Sequence, residues 1–213
     1  MRDRLVGLGN YTSVTIVAVL VLAGLLQPAK LTAASTITYV QGNYATPQTA
    51  QSSVTVPYTG AQTAGNLNVV VVGWNDSTST VSSVTDKSGS AYTLAVGPTA
   101  VSGYLSQSIY YAKNIAGAAA AANSVTVTFS KAAAYPDVRI LEYSGADLNA
   151  PVDVTAAASG SSKTSTSASA TTSNATDLIF GANIVYTSTT GAGSGFTKRL
   201  LTSDGDLAED KMV

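Results

Sequence analysis

The stretch NSVTVTFS, residues 123–130, decides how the rest of the chain is read. On an extended backbone Val125, Val127 and Phe129 fall on one side and Ser124, Thr126 and Thr128 on the other, because successive side chains of a strand point to opposite faces. Such a segment rests one face on a core and leaves the other in water. Working outward, the two-residue period returns at 37–40, 53–58, 67–74, 107–113, 137–143, 152–156, 178–186 and 196–202. Gly, Pro, Asn or Asp interrupts it about every ten residues. With the two arms around residues 86–89 these make about a dozen strands. The expected fold is all-β: a two-sheet antiparallel β-sandwich, jelly-roll or immunoglobulin-like Greek key.

Two runs, LNVVVVGW (67–74) and DLIFGANIVY (177–186), are apolar on both alternations. They read as interior strands whose outer faces are covered by loops or by another chain. The alanines of AGAAAAAN (116–123) favour helix, but so short a run does not repay helix nucleation, and it reads as a loop. SGSSKTSTSASATTSNAT (159–176) is low-complexity. It reads either as a flexible linker or, in its middle at 164–172, as a polar edge strand, the reading favoured because threonine suits extended backbone.

In SSVTDKSGSAYTLA (82–95), Asp86, Lys87, Ser88 and Gly89 match a type I turn, with Asp first and a glycine free to take positive φ. Read as a hairpin, the turn sets Val84 opposite Tyr92 and puts Val84, Tyr92 and Leu94 on one face. A calcium loop is the poorer reading, since it has one carboxylate with a lysine beside it.

The 213 residues are 45% hydrophobic and only 11% charged, rich in Ser, Thr, Ala, Gly and Val, the palette of an extracellular β-protein. There is no Cys and no His. Ser-His-Asp and Cys-His hydrolysis, His-ligated zinc chemistry and disulfide scaffolding are therefore excluded. No basic patch speaks for nucleic acid. MRDR, then VTIVAVLVLAGLL (14–26), then QPAKLTAAS follow the basic, apolar and small-residue order of a secretory signal peptide over residues 1–34. The apolar run falls short of the roughly 20 residues of a membrane span, so an uncleaved anchor is the lesser reading. Removing it takes three bases and one acid from the formal charge of −1, leaving −3 on one domain, residues 35–213.

The order VSSVTDKSGSAYTLA, SQSIYYAKNIAG, NSVTVTFS, DVRILEYSGAD, APVDVTAAASG and ATDLIFGA resembles a group of exported bacterial β-sandwich modules, immunoglobulin-like or jelly-roll-like. They occur alone or inside larger cell-surface proteins. EYSG at 142–145 followed by PVDVT at 151–155 is the most distinctive piece. The resemblance implies fold and surface location and carries no activity. Members usually run on past AED (208–210) into another strand, so it also implies that a final strand is missing after Val213.

Candidate sites follow from residue chemistry. Trp74, just before the 75–80 loop, with Tyr104, Tyr110, Tyr111 and Tyr135, offers aromatic faces of the kind that bind sugars. The alternative for each is core or edge packing. Asp204, Asp206, Glu209 and Asp210 in TSDGDLAED supply hard oxygens of the kind calcium takes, and Asp147 with Asp153 brackets another acidic loop. A solvated acidic turn is the rival reading. Glu142 ends an apolar strand face and reads as a carboxylate bonded to backbone or to a neighbouring Tyr or Lys rather than as a catalytic acid. The expected function is a non-catalytic secreted or surface binding and adhesion module that recognises a polysaccharide or cell-surface glycan. A structural spacer of a larger surface protein, or a polysaccharide hydrolase using Asp and Glu, is the alternative.

Overall fold

Thirteen strands and no helix make up the described residues, 14–23 and 36–213, of the computed structural model. In chain order they are β1 (Val14–Ala23), β2 (Thr38–Ala45), β3 (Gln51–Pro57), β4 (Leu67–Trp74), β5 (Val81–Asp86), β6 (Thr93–Val101) and β7 (Leu105–Ala112). They continue as β8 (Ser124–Ala133), β9 (Asp137–Ser144), β10 (Val152–Ser161), β11 (Asp177–Val185), β12 (Thr197–Leu201) and β13 (Leu207–Met212). Among these residues no helix is long and apolar enough to cross a membrane.

The strands form three antiparallel sheets, so the all-β antiparallel expectation holds while the number of layers is three rather than two. The middle sheet is β2-β9-β4-β7-β6, with β3-β8-β5 on one side and β10-β1-β11-β13-β12 on the other. The run LNVVVVGW explains the third layer. Val70, Val72 and Trp74 of β4 pack with Val125 and Val127 of β8, whereas Val69 and Val71 pack with Phe180 and Ala182 of β11. Both faces of β4 are therefore covered by protein. Each such valine removed from water contributes about 1.5–3 kcal/mol.

The turn at residues 86–89 forms, but the hairpin does not. Gly89 donates its N–H to the Asp86 carbonyl at 3.3 Å and takes φ of +75°. Val84 then faces Val127 of β8, not Tyr92, and Leu94 of β6 faces Tyr110 of β7. The chain thus leaves one sheet and enters another through this turn. The Asp86 carboxylate holds the crossing, accepting the Ser90 N–H at 2.9 Å and the Tyr92 hydroxyl at 3.1 Å.

Three further segments differ from expectation. Residues 164–172 form no strand. The acidic stretch after Gly205 is not a solvated turn but β13, whose Ala208 and Asp210 face the core while Glu209 faces away. The expected export leader lies largely outside the described residues, as does its cleavage point. Its apolar part, 14–23, is described as β1, seated between β10 and β11.

Candidate functional site: a cleft on the outer face of the third sheet

β11 and β13 run side by side with Gly181 opposite Glu209 and Ala182 opposite Ala208. Alternation sends Phe180 and Ala208 into the core and leaves Asn183 and Glu209 on the opposite face. Over that face stand two loops, 162–165 after β10 and 187–193 after β11, enclosing a cleft of about 480 Å³. Its lining is of mixed polar and apolar character and includes the hydroxyl-bearing Ser162, Thr164, Ser165, Thr187, Ser188 and Thr189.

Asn183 organises the cleft. Its side-chain nitrogen donates to Ser165 Oγ at 3.2 Å and Thr189 Oγ1 at 3.0 Å, one from each loop. Its Oδ1 accepts the Leu207 N–H of β13 at 2.8 Å. The 187–193 loop is held again by the Thr189 N–H, which donates to the Gly205 carbonyl at 2.9 Å. Gly205 has φ of +88°, and a Cβ there would lie 2.6 Å from Ser188 Cα. Only glycine fits that approach. From beneath, Gln107 of β7 donates to the Ala182 carbonyl at 3.2 Å and Arg139 of β9 to the Leu207 carbonyl at 2.6 Å. Arg139 and Asp137 form a fully buried ion pair at 2.7 Å. The middle sheet thereby fixes the floor of the cleft.

Glu209 is the one carboxylate in the lining, and Gly193 donates its N–H to Oε2 at 2.7 Å. Burial pushes this carboxyl above the ordinary glutamate range; the Gly193 hydrogen bond opposes the rise and the charge of Asp210 adds to it. The group keeps acceptor capacity and sits among hydroxyls and backbone amides. Such a lining offers both donors and acceptors of hydrogen bonds.

Of the residues singled out from the sequence, only Glu209 lines this cleft. Trp74 is 1% exposed, packed edge-on against Phe129, and presents no face to a ligand. Tyr104 packs edge-on against Tyr186, and Tyr110 and Tyr111 lean on the two cores. These rings do not converge on one surface. The four acidic residues of the expected calcium set do not converge either. Asp204 accepts from Gln48, Asp206 Oδ1 from the Val185 N–H at 2.8 Å, and Asp210 from Arg199 and Tyr143 on the face opposite Glu209. Among the described residues no group of three Asp or Glu side chains is placed to hold a metal ion. Asp147 and Asp153 are likewise engaged, with Asn149 and Ala150, and with Ser173.

Glu142 is fully buried; it takes the expected backbone bond, from the Thr63 N–H, while its side-chain partners are amides rather than a Tyr or Lys. Asn66 and Gln41 donate to its two oxygens at 2.6 and 2.7 Å, and the Thr63 N–H adds a third bond at 3.2 Å. The caged group is structural. Sequence reading missed the cleft because its walls are the low-complexity 162–165 segment and the TSTTGAG loop, neither of which shows periodicity. The available signal was the loop's glycine-rich run directly after an apolar strand. Compared with known protein families, with characterised proteins and with solved structures, the chain matches none.

Proposed function

We propose that this chain is a secreted or surface-displayed binding module whose cleft between residues 162–165 and 187–193 receives a hydroxyl-rich ligand, a glycan. The observation that carries the reading is the lining: one hydroxyl from each wall, Ser165 and Thr189, held by Asn183, and the partly buried carboxylate of Glu209, held by the Gly193 N–H. Sugars offer donors and acceptors together with apolar ring faces, which suits a lining of mixed character, and a preformed cleft lowers the cost of ordering the site on binding. Binding is favoured over hydrolysis because glycoside hydrolysis takes two carboxyl groups flanking the bond, and the lining carries one.

A glycan array probed with the purified protein tests this. Binding to a defined set of saccharides is expected, weakened about tenfold in Glu209→Gln, the loss of one hydrogen bond to a charged group. Uniform silence of the folded wild-type protein would remove the glycan reading and leave the spacer reading.

A further inference from the structure

β1 is the one strand of the third sheet that comes from outside residues 152–212. It lies between β10 and β11, antiparallel to both. One ladder runs from Val14 opposite Ser161 to Leu22 opposite Val152, the other from Thr15 opposite Val185 to Ala23 opposite Asp177. Among the described residues β10 has no other strand partner. Ala18, Leu20 and Leu22 are buried in the larger core, where β1 lies over β6 and β7. Taking β1 away would leave two rows of backbone N–H and C=O groups facing each other across an empty strand position, with apolar floor beneath them. Such a gap is costly, because unpaired backbone groups and exposed apolar surface both raise the free energy.

The same ten residues are the apolar part of the segment that reads as an export leader. We propose that the position between β10 and β11 is a strand-acceptor site. It holds Val14–Ala23 in the uncut chain, and after removal of that segment it takes an apolar β-strand donated by another polypeptide in the same antiparallel seat.

The seat specifies its occupant. Ala18 stands opposite Ala157 on one side and Ala182 on the other, a closely spaced trio that calls for a small residue. Leu20 lies between Thr155 and Phe180, and Leu22 between Val152 and Leu178, positions that take larger apolar side chains. The donor is therefore a strand with a small residue followed at every second position by larger apolar ones, with no proline at a position whose N–H bonds to β10 or β11. Main-chain bonding on both edges supplies the affinity and the alternate side chains the specificity, as in other cases of strand addition.

This inference is independent of the glycan reading, and the experiment separates the two. A protease site is introduced within residues 24–35 of the full chain, and the folded protein is cut there. The cut protein is unfolded, the released fragment that carries residues 14–23 is removed, and the remainder is refolded with an excess of labelled peptide of sequence 14–23 carrying terminal lysines for solubility, under conditions where the uncut chain refolds. Saturable uptake of one peptide per chain is expected, with the β10 amides protected from hydrogen exchange only when it is bound. A peptide with Leu20→Lys and Leu22→Lys should bind at least about tenfold more weakly, since it would bury two charges. Equal protection of β10 with no peptide bound, equal uptake of the lysine-substituted peptide, or failure to refold even with the native peptide present would each overturn the proposal.

Discussion

The Tyr143 hydroxyl donates to Asp210 Oδ2 at 2.9 Å, joining β9 of the middle sheet to β13 of the third across the larger core. The same oxygen accepts Arg199 Nε at 2.7 Å, and the Arg199 guanidinium lies 4.7 Å from the centre of the Tyr39 ring. Asp210 is thus the hub of a cross-sheet network. Tyr143→Phe should cost about 1 kcal/mol, the net worth of one hydrogen bond. Asp210→Ala should cost about 3 kcal/mol, because it leaves a half-buried guanidinium and a buried hydroxyl without their acceptor. Equilibrium denaturation of the two variants tests the order as well as the sizes.

Alkaline pH should unfold the protein cooperatively. Burial, reinforced by nearby negative charge, holds the hydroxyls of Tyr58, Tyr92 and Tyr143 above the ordinary value of 10.0. A group whose folded pKa is raised contributes stability that is fully present below the unfolded value and is lost as pH rises beyond it. Loss of β-sheet circular dichroism above pH 10 should therefore coincide with a late rise in tyrosinate absorbance. Smooth titration of all eleven tyrosines with the sheet signal intact would contradict this.

On the acid side the sensitive group is Asp76. Burial alone would raise its pKa, but hydrogen bonds from Ser79, Ala134 and Thr78 outweigh that and bring it down from 3.8 to about 2. A depressed carboxylate contributes stability above its unfolded value that is lost as pH falls through the folded one. The 75–80 loop should therefore loosen between pH 3.8 and about 2, read by hydrogen exchange at Ser79 and Ala134. Asp76→Ala should cost about 1–3 kcal/mol at neutral pH by orphaning these donors.

Gly205→Ala should disturb the cleft before the rest of the molecule. The substitution forces a side chain into a left-handed conformation and against Ser188. The expected cost is about 2–3 kcal/mol. Thermal melts should show the loss, and limited proteolysis should cut first within 187–193. A variant as stable as wild type and equally resistant there would show that the glycine is dispensable.

Local order was legible where either the two-residue period or a continuous apolar run was strong. β4 matches the expected run residue for residue, β8 begins at Ser124, and the Asp86–Gly89 turn has the bond its sequence demands. The double-sided hydrophobicity of β4 announced a cover on both faces but not its identity. β13 was hidden because LAEDKM sets a buried aspartate, Asp210, on its core face, which only a partner such as Tyr143 makes affordable. The cleft was hidden because Asn183, Ser165 and Thr189 meet only after β10 and β11 are placed in one sheet.

By itself, then, the sequence determined most of the strands between residues 37 and 202, since alternation depends on side chains two residues apart in the same segment, but not β1 or β13. It also determined what chemistry is absent, through the lack of Cys and His. Tertiary structure decided everything that depends on distant pairing. It sent the two arms of the 86–89 turn to different sheets, set Val14–Ala23 between β10 and β11, and turned Glu209 toward the cleft and Asp210 toward the core. The physical reason is that a strand leaves half its hydrogen bonds and one apolar face unsatisfied. Which neighbour satisfies them is settled by competition among all the strands at once.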